Sequence, residues 1–456
     1  MKLLLLNSYQ KFILILRLVS TILYFLMKVA FYTLGCKLNY AETSALHRVA
    51  VEQGYEVVPF STPADVYVIN TCTVTNAADK KCRNIIRKAI RQKEGSKVIV
   101  TGCYAELNST EISGIEGVNL IIGNSEKSKF ANDLKCINNK FQTVHGCNKI
   151  FNNQEFFAAY SIGDRTRSFL KVQDGCNYYC SYCTIPYARG RSRNAPVTDL
   201  IKDAKLIASK GIREIVLTGV NIGDFGHSTG ETFFELINAM DKVDGIDRFR
   251  ISSIEPDLLT NEIIEFVSSA KRFVHHFHIP LQSGSDTVLQ LMKRKYDTEL
   301  FRNKIKTILK IMPDACIGVD VIVGFPQEKE SEFDETCKLL KSLDIAYLHV
   351  FSYSERENTL SAKMQGKVSE IEKEKRSRLL HSLSTEKKET FYKKFINKEM
   401  KVLFERKNKN GNMYGFTTNY IKVETVAQKE LFNKITNVKL LGIDKEKMVM
   451  FGKLIL

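Results

Sequence analysis

Three cysteines lie close together in the sequence, and the cysteine thiolate is a common ligand of iron and zinc. Cys176, Cys180 and Cys183 have the spacing CxxxCxxC. Three thiolates in so short a segment can ligate three irons of a [4Fe-4S] cluster and leave the fourth iron open to a reactant. A structural zinc site closes with four ligands, and no nearby Cys or His supplies the fourth. The spacing therefore predicts an iron-sulfur cluster with a reaction site.

Three further cysteines are far apart in the sequence but share a position relative to the predicted strands. Cys36, Cys72 and Cys103 each follow a run that predicts a strand. The carboxyl ends of parallel strands meet at one edge of an open α/β sheet, so we expect these thiols to converge at a metal site. The alternative, a cysteine that acts as a small hydrophobic residue, suits the other five, which are Cys82, Cys136, Cys147, Cys316 and Cys337.

The N-terminal part of the chain alternates short β-branched runs with helical stretches, which predicts an open parallel α/β sheet domain over residues 27–139. We expect strands at 28–34, 65–69 and 97–101, weaker strands at 55–58 and 119–122, and helices at 42–52, 79–92 and 128–136. The polar segment 140–161 is predicted to be a linker.

A second α/β periodicity with longer repeats covers residues 162–391, and the CxxxCxxC segment follows its first strand. We expect strands at 168–173, 214–218, 248–252, 274–280, 318–323 and 347–352, with helices between them. Six strands are too few to close an eight-stranded barrel. The pattern predicts a partial, open (βα)6 barrel.

The C-terminal segment is basic and predicts a small β-barrel over residues 392–456, with strands at 401–404, 421–426 and 448–454. Residues 390–456 contain 14 Lys and Arg and 6 Asp and Glu, a net charge of +8. Phosphate neutralisation and base stacking would suit RNA. The alternative is a solvated lysine-rich face. The candidate stacking residues are Tyr392, Phe404, Tyr414, Phe416 and Tyr420.

The composition is that of a folded protein of two or three domains, because 456 residues with 44% hydrophobic and 26% charged side chains exceed one ordinary core. Eight prolines and the lack of low-complexity repeats exclude disordered and fibrous classes. The net charge of +16 favours a polyanionic partner. Eleven cysteines, an odd number, favour thiolate chemistry in a reducing compartment, and we expect the cytoplasm.

Residues 1–26 are apolar and unlike the rest of the chain. Arg17 interrupts the apolar run, and no small residues mark a signal-peptide cleavage site. We expect these residues to form an extension outside the fold, with Met27 as a candidate initiator of the working protein. We expect no membrane partner. A membrane or targeting segment is the alternative.

The cysteine spacing after the first of six strands resembles the radical S-adenosylmethionine (SAM) superfamily. With TLGCKLN (33–39), INTCTV (69–74) and VTGCYAE (100–106), the chain resembles the methylthiotransferase family, which adds a C-terminal TRAM domain. The resemblance implies that Cys36, Cys72 and Cys103 ligate a second, sulfur-carrying [4Fe-4S] cluster. It also implies two uses of SAM: methyl transfer to sulfur, and formation of a radical that takes hydrogen from the substrate.

The same resemblance implies which residues contact SAM. Tyr182 corresponds to the aromatic residue beside the adenine, and Gly219 and Asn221 belong to a glycine-rich motif after the second strand. Glu255 in SSIEP (252–256) and Gln282 in IPLQSGSD (279–286) follow the third and fourth strands. We expect all five to line the cofactor site.

The expected function is methylthiolation of the 2-carbon of N6-threonylcarbamoyladenosine at tRNA position 37, because TLGCKLN resembles that branch of the family. The expected partners are the tRNA anticodon arm and an electron donor such as a flavodoxin or ferredoxin; the sulfur donor is left open. Alternatives within the family are isopentenyladenosine in tRNA and a ribosomal-protein aspartate. Two broader alternatives are a radical SAM enzyme with one cluster and a non-enzymatic RNA-binding metalloprotein.

Two smaller groups complete the candidates. His275, His276 and His278 cluster on one predicted strand, where a third metal site or polar core lining is expected. Three arginines follow the cysteine loop, and we expect them either to contact phosphates or to hold the loop through salt bridges. They are Arg189, Arg191 and Arg193.

Overall fold

The structure, a computed structural model, describes residues 27–137, 143–147, 155–163, 166–409 and 411–455. They form two units: the first runs to Ser161 and includes Tyr187–Gly190, and the second contains Ile162–Pro186 and Arg191–Leu456. The predicted apolar extension, residues 1–26, lies outside the described residues. Among the described residues, no helix has the length and apolarity needed to cross a bilayer.

The first unit contains a parallel sheet with the strand order β2-β1-β3-β4-β5-β6. Strand β3 is buried along its whole length, as expected for a parallel strand that is covered on both faces. The six strands are β1 (Lys28–Thr33), β2 (Glu56–Val58), β3 (Val66–Thr71), β4 (Lys97–Gly102), β5 (Leu120–Ile122) and β6 (Thr143–His145). The last of them lies in the segment predicted to be a linker and pairs with β5.

The helices of this unit connect and cover the strands. They are α1 (Lys37–Glu52), α2 (Asn76–Gln92), α3 (Cys103–Leu107), α4 (Ser109–Ser113) and α5 (Phe130–Lys135), with a 3₁₀ helix at Asn124–Lys129. Helix α2 begins where the Thr75 hydroxyl accepts a hydrogen bond from the Ala78 amide at 3.2 Å, which satisfies a free helical N–H. It buries Cys82, Ile86 and Ala89 against the sheet.

The second unit begins with six parallel strands in chain order. They are β7 (Arg167–Lys171), β10 (Glu214–Thr218), β11 (Arg248–Ile251), β12 (His276–Gln282), β13 (Cys316–Val323) and β14 (Tyr347–Ser352), and the short pair β8 (Gln173–Asp174) and β9 (Arg193–Asn194) brackets the cysteine loop. Bridges between β11 and β12 join the two halves of the sheet. The predicted (βα)6 arrangement is confirmed, and the ends of β7 and β14 are not paired with each other.

Helices alternate with these strands, as predicted. They are α6 (Ile185–Arg189), α7 (Val197–Ser209), α8 (Phe233–Met240), α9 (Asn261–Ser269), α10 (Asp286–Leu291), α11 (Thr298–Ile311) and α12 (Glu330–Ser342). A capping box between Thr232 and Glu235 starts α8. The sequence pattern did not single out the next helix, α13 (Glu370–Lys393).

A closed five-stranded barrel ends the chain, which confirms the predicted C-terminal β-barrel. Its strand order is β15-β16-β17-β19-β18. The strands are β15 (Glu399–Lys409), β16 (Asn412–Thr417), β17 (Lys422–Val426), β18 (Ile435–Asp444) and β19 (Val449–Leu454). A core that includes Val402, Val423 and Met450 fills the barrel.

The aromatic side chains predicted to stack on RNA bases serve other roles. Tyr392 and Phe404 are buried in the barrel core. Phe416 and Tyr420 pack against the parallel strands: the guanidinium of Arg167 lies 4.6 Å from the Phe416 ring centre, and the Tyr420 hydroxyl donates to Glu214. The prediction of base stacking is therefore wrong for Tyr392 and Phe404, whose rings are buried within the unit. It stays a prediction for Phe416 and Tyr420, which are half-buried. Tyr414 is half-buried under Lys422.

Candidate active site

The CxxxCxxC loop brings three thiols together after strand β8. Burial, with a smaller contribution from charge on Cys180, raises the pKa of Cys176 to about 12. Cys183 has a raised pKa for the same two reasons. Buried thiols resist deprotonation unless a cation binds to them. The three residues therefore fit a positively charged iron-sulfur core, which would supply the charge that makes thiolate ligands stable.

A buried ionic group holds the base of this loop. Asp174 Oδ2 lies 2.7 Å from Lys171 Nζ and 3.1 Å from Arg193 Nη2, and all three side chains are buried. Asp174 Oδ1 accepts a hydrogen bond from the Gly175 amide at 2.9 Å. Arg193 thus forms a salt bridge, one of the two roles expected for it, whereas Arg191 is exposed.

Arg294 was not identified from the sequence, yet it lies at the loop. Its Nη1 is 3.1 Å from the Cys180 sulfur, and its Nη2 donates to Glu255. Burial raises the pKa of Cys180, and the Arg294 charge opposes that rise. Arg294 stands between Lys293 and Lys295, so nothing in the pattern distinguishes the buried cation from its neighbours.

The segment after β10 has the features of a ligand cradle. The Gln173 Oε1 atom accepts hydrogen bonds from the amides of Val220 at 3.0 Å and Asn221 at 2.9 Å. A Cβ on Gly219 would lie 2.8 Å from the same oxygen, so only glycine fits. Both polar atoms of the Asn221 side chain are buried without a hydrogen-bond partner in the described part of the chain. A buried unpaired amide is costly, and a polar ligand such as SAM would satisfy it.

The other predicted SAM contacts surround the same region. Tyr182 packs against Phe325, with ring centres 6.4 Å apart in an edge-to-face arrangement. Burial raises the pKa of Glu255 to about 7, and Arg294 opposes this shift. Gln282 ends β12 with a φ of +66°, a conformation that turns the chain sharply at the strand end. Their roles in SAM binding stay predictions.

The second cysteine group lies at the ends of three strands of the first unit. Cys36 follows β1, Cys72 follows β3 and Cys103 follows β4. Gly102, before Cys103, has a φ of +99°, and a Cβ there would lie 2.4 Å from the Thr71 carbonyl oxygen. The tight turn that positions this thiol therefore requires glycine.

Strand register and close contacts bring these three thiols together. Thr71 and Gly102, which precede Cys72 and Cys103, are register partners, and a Cβ on Gly35 would lie 3.0 Å from the Cys72 sulfur. Burial, together with the charges of Cys103 and Cys36, raises the pKa of Cys72 to about 12. Burial also raises the pKa of Cys103, while Arg189 and Lys127 lower it. The expected convergence is present, and three mutually close sulfurs, two of them buried, fit an iron-sulfur cluster as the loop cysteines do.

A buried ionic network lies beside the strand-end thiols. Arg189 Nη1 is 3.0 Å from Glu42 Oε1, and Lys127 donates to the other oxygen of Glu42. Arg189 Nη2 also donates to Asn39 Oδ1 at 2.6 Å, and the Cys36 thiol is 3.7 Å from that oxygen. Arg189 is thus a salt-bridging residue of the first unit and is 1% exposed.

The three histidines of the predicted third metal site do not converge. His278 lies with Asp320 and His349, whose ligand atoms are all within 4.8 Å of one another. His276 instead contacts the Tyr347 hydroxyl at 2.9 Å. His275 has a lowered pKa, chiefly because of burial.

Residues 28–123 match the uncharacterized protein family UPF0004, and residues 170–340 match the Radical SAM superfamily. The threonylcarbamoyladenosine tRNA methylthiotransferase MtaB of Bacillus subtilis (strain 168) is 40% identical over 421 residues, or 91% of this chain and 93% of that protein. The MtaB protein of Aquifex aeolicus (strain VF5) is 38% identical over 407 residues, covering 89% and 98%. The tRNA-2-methylthio-N(6)-dimethylallyladenosine synthase of Syntrophus aciditrophicus (strain SB) is 32% identical over 391 residues, covering 83% and 84%.

Among solved structures, the radical S-adenosylmethionine methyltransferase TsrM of Kitasatospora setae is similar in fold, with a TM-score of 0.53 and 14% identity over 71% of this chain and 73% of that one. The partial (βα)6 barrel, with a cysteine loop after its first strand, defines a radical SAM enzyme, a class that uses a [4Fe-4S] cluster and SAM. The chain belongs to the radical SAM methylthiotransferase family, and its MtaB relatives match nearly its whole length.

Proposed function

We propose that the protein methylthiolates the 2-carbon of N6-threonylcarbamoyladenosine at position 37 of tRNA, with two [4Fe-4S] clusters and SAM. The observation that carries this proposal is the presence of two separate groups of three clustered thiols, one on the loop after β8 and one at the ends of β1, β3 and β4. The names of the Bacillus subtilis and Aquifex aeolicus relatives support the substrate.

The loop group is Cys176, Cys180 and Cys183, and we assign the radical-forming cluster to it. The strand-end group is Cys36, Cys72 and Cys103, and we assign the sulfur-carrying cluster to it. When bound, the cofactors supply a 5′-deoxyadenosyl radical, which removes hydrogen from the substrate carbon, and a methylthio group that replaces the hydrogen.

The protein's own residues would orient and balance these groups. Asn221 offers a buried amide with both polar atoms available to SAM. Arg294 lies between Cys180 and Glu255, where a guanidinium can bind the carboxylate of SAM by paired hydrogen bonds. Arg189 and Lys127 place positive charge near Cys103, which offsets the negative charge of a thiolate-ligated cluster.

The tRNA would bind chiefly through charge. With four of the five candidate aromatics engaged inside the second unit, the basic C-terminal segment can still neutralise phosphates through its exposed lysines, for example Lys401 and Lys439. Such contacts give affinity that falls with salt. A tRNA substrate implies a cytoplasmic enzyme, and we propose a flavodoxin or ferredoxin as its electron donor.

Side chains on the strands of the partial (βα)6 barrel support threonylcarbamoyladenosine as the substrate rather than isopentenyladenosine. Three polar side chains, His278, Asp320 and His349, lie together on strands β12, β13 and β14. An isopentenyl substituent would want an apolar pocket, whereas a threonylcarbamoyl group carries a carboxylate, a hydroxyl and amide groups. A polar strand face fits the second kind of substituent.

The test is an assay of the purified, anaerobically reconstituted enzyme on tRNA bearing each modification, with nucleoside analysis of the product. We expect 2-methylthio product only from threonylcarbamoyl-tRNA. Turnover only on isopentenyl-tRNA would contradict the substrate assignment, and turnover only on a ribosomal protein would contradict tRNA as the substrate. Nucleoside analysis of tRNA from a deletion strain provides the matching cellular measurement.

A further inference from the structure

Polar side chains form a continuous series across strands β12, β13 and β14. Asp320 and His349 are register partners on neighbouring strands. His278 Nε2 lies 2.7 Å from Asp320 Oδ1, and the rings of His278 and His349 have centres 5.1 Å apart. His349 is exposed and the other two are half-buried. A small ligand can therefore reach all three side chains.

The series continues towards the start of the strands. The Tyr347 ring centre is 5.1 Å from that of His349, and its hydroxyl is 2.9 Å from His276 Nε2. Arg250 Nε donates to His276 Nδ1 at 3.3 Å. We call these six residues the polar column: Arg250, His276, Tyr347, His349, His278 and Asp320.

The charge at one end of the column points to an anionic ligand. The Arg250 guanidinium is half-buried, stacks on the Tyr420 ring at 4.1 Å and hydrogen-bonds His276. It forms no ion pair with a carboxylate in the part of the chain that the structure describes. These contacts satisfy part of the guanidinium's hydrogen-bonding capacity but bring no negative charge, so a ligand carboxylate would supply the charge that balances this half-buried cation.

The other end of the column lies near the candidate SAM site. Asp320 is the register partner of Pro280, two residues before the predicted SAM contact Gln282, and Val321 is the partner of Gln282 itself. Burial is the main cause of the raised pKa of Glu255, and the charge of Asp320 also contributes to it. A substituent held by the column would therefore belong to a substrate placed close to Glu255 and Arg294. This position matches a group attached to the reacting base rather than a remote part of the tRNA.

We propose that the polar column binds the N6-threonylcarbamoyl group of the target adenosine, and that His349 determines specificity for it. Arg250 and the imidazoles donate hydrogen bonds to the substituent's carboxylate, and Asp320 accepts one from its hydroxyl or an amide N–H. This inference rests on the proposed function. A site that hydrogen-bonds a polar substituent discriminates against a substrate that lacks it, because that substrate cannot form those hydrogen bonds.

The same three side chains, His278, Asp320 and His349, have the composition of a divalent-metal site. The 2.7 Å contact between His278 and Asp320 argues against a metal ion held by those two atoms, because it engages one ligand atom of each residue with the other. The test below therefore includes a measurement of bound zinc and manganese.

The experiment replaces His349 by Phe, which keeps a planar ring and removes the hydrogen-bonding nitrogens. We expect kcat/KM for threonylcarbamoyl-tRNA to fall about tenfold or more, mainly through KM, while the ratio of isopentenyl to threonylcarbamoyl turnover rises. Iron content should equal that of the wild type. His349→Gln, which keeps a donor and an acceptor, should retain more of the activity. The matched control is His381→Phe on the exposed face of α13, which should leave every value unchanged.

The outcomes separate the two proposals. A wild-type enzyme inactive on threonylcarbamoyl-tRNA would contradict the proposed function itself. An active wild type together with an unchanged kcat/KM in His349→Phe would reject the polar column alone. About one zinc or manganese ion per chain that the wild type retains and His349→Phe loses would also overturn it. Circular dichroism shows whether His349→Phe folds. If it does not fold, His349→Gln decides: activity equal to that of the wild type on both tRNAs would reject the proposed role of the polar column.

Discussion

The two cysteine groups each bring three thiols together, but different parts of the fold position them. Cys176, Cys180 and Cys183 lie on one loop, so their proximity follows from a short stretch of chain that Asp174 anchors at its base. The strand-end group draws one thiol from each of three strands, so its geometry depends on the whole sheet of the first unit. The comparison teaches that the loop group should tolerate changes in its surroundings better than the strand-end group.

The largest expected effect comes from the loop group. Replacing Cys176, Cys180 and Cys183 together by Ala should lower the iron content of the reconstituted protein from about eight to about four per chain and abolish SAM cleavage. Iron analysis and measurement of 5′-deoxyadenosine check both results. Persistent SAM cleavage in this variant would contradict the assignment of the radical-forming site.

The strand-end group should show the complementary loss. The triple Ala variant of Cys36, Cys72 and Cys103 should also keep about four irons per chain, cleave SAM and transfer no sulfur. Each triple variant is the control of the other, because both remove three thiols. Methylthiolated product from the strand-end variant would show that one cluster suffices and would refute the two-cluster reading.

The ionic network beside the strand-end group should matter for stability. Glu42→Ala removes a buried carboxylate that pairs with both Arg189 and Lys127, and breaking a buried ion pair costs about 3–5 kcal/mol of unfolding free energy. Asp199→Ala, which breaks the exposed pair with Lys202, is the control and should leave the free energy of unfolding nearly unchanged, because solvent screens an exposed pair. Anaerobic denaturant unfolding measures both, and equal values would show that the network is not a stabilising feature.

The smallest of these effects concerns the turn before Cys103. Gly102→Ala should cost about 3 kcal/mol, because the new Cβ would clash with the Thr71 carbonyl oxygen at a φ of +99°. Gly211 has a φ of +73° and open space around its Cβ position, so Gly211→Ala carries only the backbone strain, about 1 kcal/mol. A Gly102→Ala variant as stable as Gly211→Ala, with full iron content, would show that the sheet edge adapts easily.

Much of the fold was predictable because hydrophobic periodicity reports it directly. The predicted strands of both α/β regions coincide with observed strands except at their ends. The long helix α13 was missed because its apolar residues are few: it buries Leu380 and Leu383 within a lysine- and glutamate-rich sequence. The strand β6 was missed because three residues, Thr143–His145, carry too short a pattern.

The candidate site divides along a similar line. The CxxxCxxC spacing is a local feature, and so is the position of Cys36, Cys72 and Cys103 directly after predicted strands, so the sequence alone was sufficient to select these thiols. The glycine-rich segment at Gly219 was selected by its resemblance to a family motif. Arg294, the Glu42 network and the polar column involve residues with ordinary local surroundings. They acquire their roles from partners such as Glu255 that are 39 residues away in the chain, and no local pattern encodes such a partner.

By itself, the sequence determined the two α/β regions with their strands and the thiols available as ligands, because periodicity and ligand spacing are properties of short segments. The class of enzyme followed from the resemblance of its motifs to a known family. Only the tertiary structure decided which charges are buried and paired. It placed Arg189 on Glu42, packed Phe416 against Arg167 and Tyr420 against Glu214, and assembled Arg250 with His349 in one column. The physical reason is that desolvation and hydrogen bonding depend on all neighbours in space, most of which lie far away along the chain.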